Sequence, residues 1–202
     1  MTARPANLAA ALALLAAPAV APLATPARAQ NLTMATGGSV TSVDPHFFNA
    51  APNSSLALHF FETLVDRTHD AKLVPGLATE WRAVSPTIWE FKLRPNVTWH
   101  DGRPFTAADV VFTLNRVPNV PNSPGGFTGF IRSIERTEVV DPLTVRFHTS
   151  YPNPILPTEI ASIFVISRHA GEGAGTEDYN SGRAVIGTGP FRFASHRMGD
   201  RT

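Results

Sequence analysis

Apolar and polar positions along the chain divide it into short elements separated by turn signals. Leu56, Phe60 and Leu64 recur at a spacing of four, which predicts a helix opened by Asn53 or Ser54 and left by a short strand at Val65–Arg67. Trp89, Phe91 and Leu93 alternate with Glu90 and Lys92, the period of a strand buried on one face. Val97–Trp99 is expected as its partner across Arg94-Pro95-Asn96, and Leu77–Trp81, after Pro75-Gly76, as a single helical turn. Thr106 reads as a helix N-cap, with Asp109 in the first turn and an apolar stripe of Val110, Val111, Leu114 and Val117. Pro118 stops that helix.

Further on, Ile134–Val140 and Leu143–Thr149 form a hairpin turned at Asp141-Pro142, with Leu143, Val145 and Phe147 on one face. Ile155–Ile160 reads as a short helix, Ile163–Ile166 as a buried strand, His169–Gly182 as an exposed loop and Phe191–Phe193 as a strand. Near the start, Leu32–Thr36 reads as a buried first strand ended by Gly37-Gly38.

The N-terminus changes the picture. Arg4 is followed by an almost wholly apolar run, Leu8–Ala24, and then by Ala27-Arg28-Ala29, a small-residue cleavage pattern. Residues 1–29 are therefore expected to be an export signal rather than a membrane anchor, since Pro18 and Pro22 interrupt a run at the short end of spanning length. Export removes Arg4 and Arg28, leaving 17 − 2 = 15 basic against 16 acidic residues. That balance excludes a basic stripe for nucleic acid. The absence of cysteine excludes disulfides, thiol nucleophiles and a lipid-modified Cys. A soluble periplasmic protein follows as the expectation.

The run Val74–Val117, VPGLATEWRAVSPTIWEFKLRPNVTWHDGRPFTAADVVFTLNRV, together with Gly187–Phe193 (GTGPFRF), resembles the family 5 extracellular solute-binding proteins, the dipeptide, oligopeptide and nickel receptors of ABC importers. Its most specific parts are Leu77–Trp81, Phe91–Asn115 and the Gly187–Phe191 turn. The resemblance implies an α/β, periplasmic-binding-protein-like bilobed fold, with only lobe one and its inserted subdomain present. Residues 30–52 would be the first segment of lobe one, 53–183 the inserted α/β subdomain, and 184–202 the re-entry into lobe one, with the second lobe missing. It implies non-covalent capture of a peptide or similar small solute by a monomer. Delivery would be to ABC permease subunits in the inner membrane, with no cofactor, no nucleic acid and no catalysis.

Two loops are the candidate ligand contacts. Ser42, Asp44, His46 and Phe48 bring hydroxyl, carboxylate, imidazole and aromatic groups to one Pro-fixed loop, as a site for a peptide main chain and side chains requires. The competing reading is an ordinary turn with Phe47 in the core. Thr188, Gly189 and Phe191 lie where two glycines let backbone approach a ligand or a neighbouring element, so a structural crossover competes there too. Asp101-Gly102-Arg103-Pro104 is read as a locked structural loop, and Trp81, Trp89 and Trp99 as core. The histidines lack ligand spacing for a metal. A secreted hydrolase using Asp101, Asp109 and His100 is the alternative in another functional class. A truncated fragment that binds nothing is the other alternative.

Overall fold

The computed structural model describes Leu32–Ala35 and residues 37–202; the expected export signal lies outside the described residues. The chain divides into two units, Met1–Ala35 and Thr36–Thr202. Leu32–Ala35, in the first, is exposed coil rather than the expected strand, and Thr36, in the second, lies outside the described residues. A strand needs a neighbour for its backbone hydrogen bonds, and none pairs with this segment among the described residues.

The second unit is built on a four-stranded antiparallel sheet. β1 (Val65–Arg67) and β2 (Leu73–Pro75) form a separate small ladder, while β3 (Ala78–Ser85), β4 (Ile88–Leu93), β5 (Ile134–Asp141) and β6 (Thr144–Thr149) lie in the order β3-β4-β6-β5. The alternation in β4 is realised: Trp89 and Phe91 face Phe147 and Val145 of β6 in register. The Phe91 and Phe147 rings meet at 4.8 Å. Both are fully buried, each contributing about 1.5–3 kcal/mol by burial.

The partner of β4 is a correction. Leu77–Trp81 is not a helical turn: Leu77 ends a bend and Ala78–Trp81 open β3, which pairs with β4 across Pro86-Thr87. Val97–Trp99 keeps one isolated bridge, Thr98 with Pro104. The reason lies in reach: β3 has eight residues to lay along β4, whereas the chain after Asn96, itself at φ 60°, folds back on the Asp101-Gly102 turn.

α1 (Ala51–Phe60) starts before the expected cap and ends four residues sooner, because Pro52 suits a first turn and Phe61 turns extended. Asn53 lies within the helix and accepts the Thr41 amide at 3.0 Å. α2 (Ala107–Arg116) begins as expected: Asp109 accepts the Thr106 amide at 2.9 Å, and Val110, Leu114 and Val117 are buried against the sheet. The Ile134–Thr149 hairpin and the short helix α3 (Leu156–Ile160) also form.

Three expectations fail for want of a partner or because of a buried anchor. Ile163–Ile166 is buried but makes only an isolated bridge, Phe164 with Thr63. The segment 191–193 is coil. The expected loop His169–Gly182 contains α4 (Arg168–Gly171) and α5 (Thr176–Asn180), fixed by the fully buried Tyr179. Tyr179 joins Val43, Ala57, Phe60, Phe61 and Phe164 in a second core beside the sheet's own.

Candidate functional site

The Ser42–Phe48 loop turns inward. Pro45 fixes the backbone, and Asp44 Oδ1 accepts the His46 amide at 3.0 Å in an Asx-type turn. Ser42, Asp44 and His46 are each no more than 1% accessible. Arg116, at the C-terminal end of α2, reaches Asp44 with two nitrogens at 2.9 and 2.7 Å. The same guanidinium contacts His46 Nδ1 at 3.1 Å and lies 4.5 Å over the Tyr179 ring. Thr176 donates to Asp44 at 2.9 Å, and Ser42 donates to Asn180 at 2.9 Å, so α5 closes the other side.

These contacts set the charges. Burial opposes ionisation of Asp44, but the Arg116 hydrogen bonds and charge outweigh it and hold the carboxyl below its usual range. Burial, then the Arg116 charge, pushes His46 down to about 4. At neutral pH the cluster is therefore a carboxylate, a guanidinium and an uncharged imidazole.

Phe48 lies at the outgoing end, half-buried, where its backbone bridges Gly125. Ser123 Oγ donates to the Phe47 carbonyl at 2.6 Å, so the Pro/Asn/Gly loop after α2 seats this end. Of the first candidate group, the structure brings Ser42, Asp44 and His46 into one buried polar cluster and leaves Phe48 at its edge.

The second group gathers at the C-terminal end of α1. Gly189 and Phe191 donate their amides to the carbonyls of Phe60 and His59, which the helix end leaves free, at 2.9 and 3.0 Å. A Cβ on Gly187 would fall 1.7 Å from the Phe60 oxygen, so this close approach admits glycine alone. His100 clamps the turn: Nδ1 accepts the Gly187 amide at 3.3 Å and Nε2 donates to the Gly189 carbonyl at 2.8 Å. Thr188 Oγ1 is buried without a hydrogen-bond partner among the described residues. Phe191 is exposed, its ring 5.5 Å from that of His59.

The residues of the hydrolase alternative are occupied structurally. His100 holds the glycine turn, and Asp109 accepts the Thr106 amide and, through Oδ1, the Arg168 amide at 2.8 Å. Asp101 accepts the Arg103 amide at 3.2 Å, as expected of a locked loop, and meets His169 Nε2 at 2.5 Å. His169 Nδ1 in turn lies 2.7 Å from Ser167 Oγ, a Ser–His–Asp string. Ser167, however, is 1% accessible and its hydroxyl caps α4, so the string ties α4 to the 99–104 turn and offers no reachable nucleophile. Among the described residues no group of three or more His, Cys, Asp or Glu stands where it could hold a metal ion.

Sequence reasoning missed Arg116, Thr176, Tyr179 and Asn180. Arg116 reads along the chain as a cation in the last turn of a helix, a place it would occupy for the helix dipole alone. Nothing local signals a partner 72 positions away.

Comparison with known proteins identifies the architecture. Bacterial extracellular solute-binding proteins, family 5 Middle, match residues 72–202. The glutathione-binding protein GsiB of Pectobacterium atrosepticum is 32% identical over 175 residues, covering 85% of this chain and 33% of GsiB. The periplasmic oligopeptide-binding protein OppA of Escherichia coli is 33% identical over 106 residues, 52% of this chain and 19% of OppA. Among solved structures, Haemophilus influenzae OppA in complex with RPPGFSPFR superposes with a TM-score of 0.70 at 25% identity, over 80% of this chain and 35% of that one. The chain thus spans about a third of the length of the glutathione-binding relative it matches, and its fold is that of the periplasmic binding proteins. It belongs to the bacterial extracellular solute-binding proteins of family 5.

Proposed function

We propose that the chain serves as part of the substrate-binding component of an ABC importer, taking up peptides or similar small solutes in the periplasm. The observation that carries this reading is the family match over residues 72–202, supported by relatives that bind glutathione and oligopeptides. In this reading residues 1–29 export the protein, 30–52 and 184–202 belong to lobe one, and 53–183 form its inserted subdomain. Solute meets the two loops whose backbones the polar cluster and the glycine turn hold in place. Ser42, Asp44 and His46 shape the first loop and Phe48 edges it, while Thr188, Gly189 and Phe191 edge the second. Capture is non-covalent, by a monomer that then docks on permease subunits of the inner membrane.

Thermal melting of the protein recovered from the periplasmic fraction of its own cells tests this. Short peptides and glutathione are expected to raise Tm, because a ligand that binds only the native state stabilises it. A flat Tm across peptides, glutathione, opines, sugars and metal chelates would overturn the reading, as would recovery of the protein only from the cytoplasm.

A further inference from the structure

His46 sits where only one of its protonation states can satisfy its neighbours. Nε2 lies 2.7 Å from the Phe164 carbonyl oxygen, which cannot donate, so Nε2 carries the hydrogen. Nδ1 lies 3.1 Å from an Arg116 nitrogen, which cannot accept, so Nδ1 offers its lone pair. The ring is 0% accessible, and no solvent can take a displaced hydrogen bond. A second proton would set an imidazolium N–H against a guanidinium N–H inside the protein.

Among the described residues around the ring, the Asp44 carboxylate favours a charged imidazole, but burial and the Arg116 charge outweigh it. On its own loop, the Asp44 carboxylate already accepts from Arg116, Thr176 and the His46 amide. From α2 the charge beside the ring is Arg116, while Asp109, at the other end of the helix, accepts the Thr106 and Arg168 amides. From α5, Tyr179 stacks beyond the guanidinium, and Asp178 is paired with Arg183 at 2.7 Å. Phe127 presents a ring at 6.3 Å in an edge-on arrangement.

We propose that Arg116 is the positioning residue of the Ser42–Phe48 loop and that it holds the loop only while the His46 ring is uncharged, so that one proton taken up by His46 frees the loop. Its importance for capture rests on the ligand-side reading given above. Protonation removes the Arg116–His46 hydrogen bond and places two cations on one carboxylate. The loop relieves this by swinging His46 towards water, which surrenders the Phe164 contact and loosens the seat of Phe47 on Ser123. Burial and the Arg116 charge delay this to a pH of about 4, so the loop is closed at neutral pH.

Residue-resolved hydrogen exchange on the whole chain, corrected for intrinsic rates, tests the proposal between pH 7 and 3.5. The amides of His46, Phe47 and Asn49 are expected to lose protection at least tenfold (about 1.4 kcal/mol) near pH 4, while those of Phe91 and Val145 keep theirs. His46→Gln, which cannot charge, should flatten the loop's pH profile. Arg116→Lys should expose the loop already at pH 7 and leave the sheet protected. In the wild type, nitrogen shifts of the His46 ring should report the Nε2–H tautomer down to pH 5, a readout that needs no variant to fold. The proposal fails if loop protection holds to pH 3.5, if loop and sheet lose protection together, if His46→Gln shows the same drop, or if the ring titrates near 6.5 with the loop intact. Acid opening in a protein that no solute stabilises would leave this latch standing and sink the ligand-side reading alone.

Discussion

Two ion-pair systems in this chain put carboxylate–guanidinium pairing to contrasting use. On the outer face of the sheet, Arg82, Glu90, Arg146 and Glu138 stand in one register row across all four strands. Glu90 takes Arg82 at 2.7 Å and Arg146 at 2.8 Å, and the two arginine side chains are 72% and 35% accessible. Glu90 is itself only 4% accessible because the guanidinium groups cover it, not because it lies within a core. The Asp44–Arg116 pair is enclosed, its side chains 0% and 9% accessible. The row stabilises a sheet whose strands already pair through their backbones; the cluster joins three elements with no common ladder. What one system does redundantly the other does alone, and the contrast is open to measurement.

The largest effect is expected at Arg116. Arg116→Met leaves the Asp44 carboxylate buried and unpaired, a loss of about 3–5 kcal/mol in urea unfolding. A loss under about 1 kcal/mol would mean that water reaches Asp44, erasing the distinction from the surface row.

Acid comes next. The folded His46 titrates near 4 against an ordinary 6.5, so between those values the unfolded chain binds a proton that the native chain does not. Stability is complete above 6.5 and falls with pH through that window by at most about 3 kcal/mol. Where opening of the loop is less costly than that, the opening caps the fall. The Asp44 carboxyl, held below its usual range, adds its own loss at lower pH in the same direction. His46→Gln should remove the slope between 6.5 and 4, and a slope that survives would locate the titrating group elsewhere.

Smaller effects belong to the row. Glu90→Gln removes a charged acceptor from two guanidinium groups and should destabilise by about 1–2 kcal/mol. Arg82→Ala should stay within about 0.5 kcal/mol and lose even that in 0.5 M salt, whereas the Arg116→Met deficit should be unmoved by salt. Equal salt sensitivity at the two sites would refute the comparison.

The same contrast explains what could be read along the chain. The β4 alternation, the Thr106 cap and the Asp141-Pro142 hairpin are local statements, each legible within about ten residues, and the structure realises them. The partner of β4 is not local: Val97–Trp99 and Ala78–Ser85 both lie a turn away, and only packing of the whole sheet selects the second. α5 escaped notice because its one apolar anchor, Tyr179, sits in a polar stretch with no period. At the site, Ser42, Asp44 and His46 stand out as a cluster within five positions. Their partners Arg116, Thr176 and Asn180 are spread along the chain and announce nothing by themselves.

The glycines at the two ends of this architecture decide where a reporter can go. A side chain at Gly187 would collide with α1, but one at Gly129 would face open space, its Cβ meeting nothing within 4 Å. It sits in the short turn Thr128–Phe130, two positions from the Phe127 ring that packs edge-on to His46. Because the chain has no cysteine of its own, a single Gly129→Cys would accept one thiol-reactive dye at a unique address. Fluorescence from that dye would follow the motions of the neighbouring histidine in real time, turning the protein into its own optical gauge.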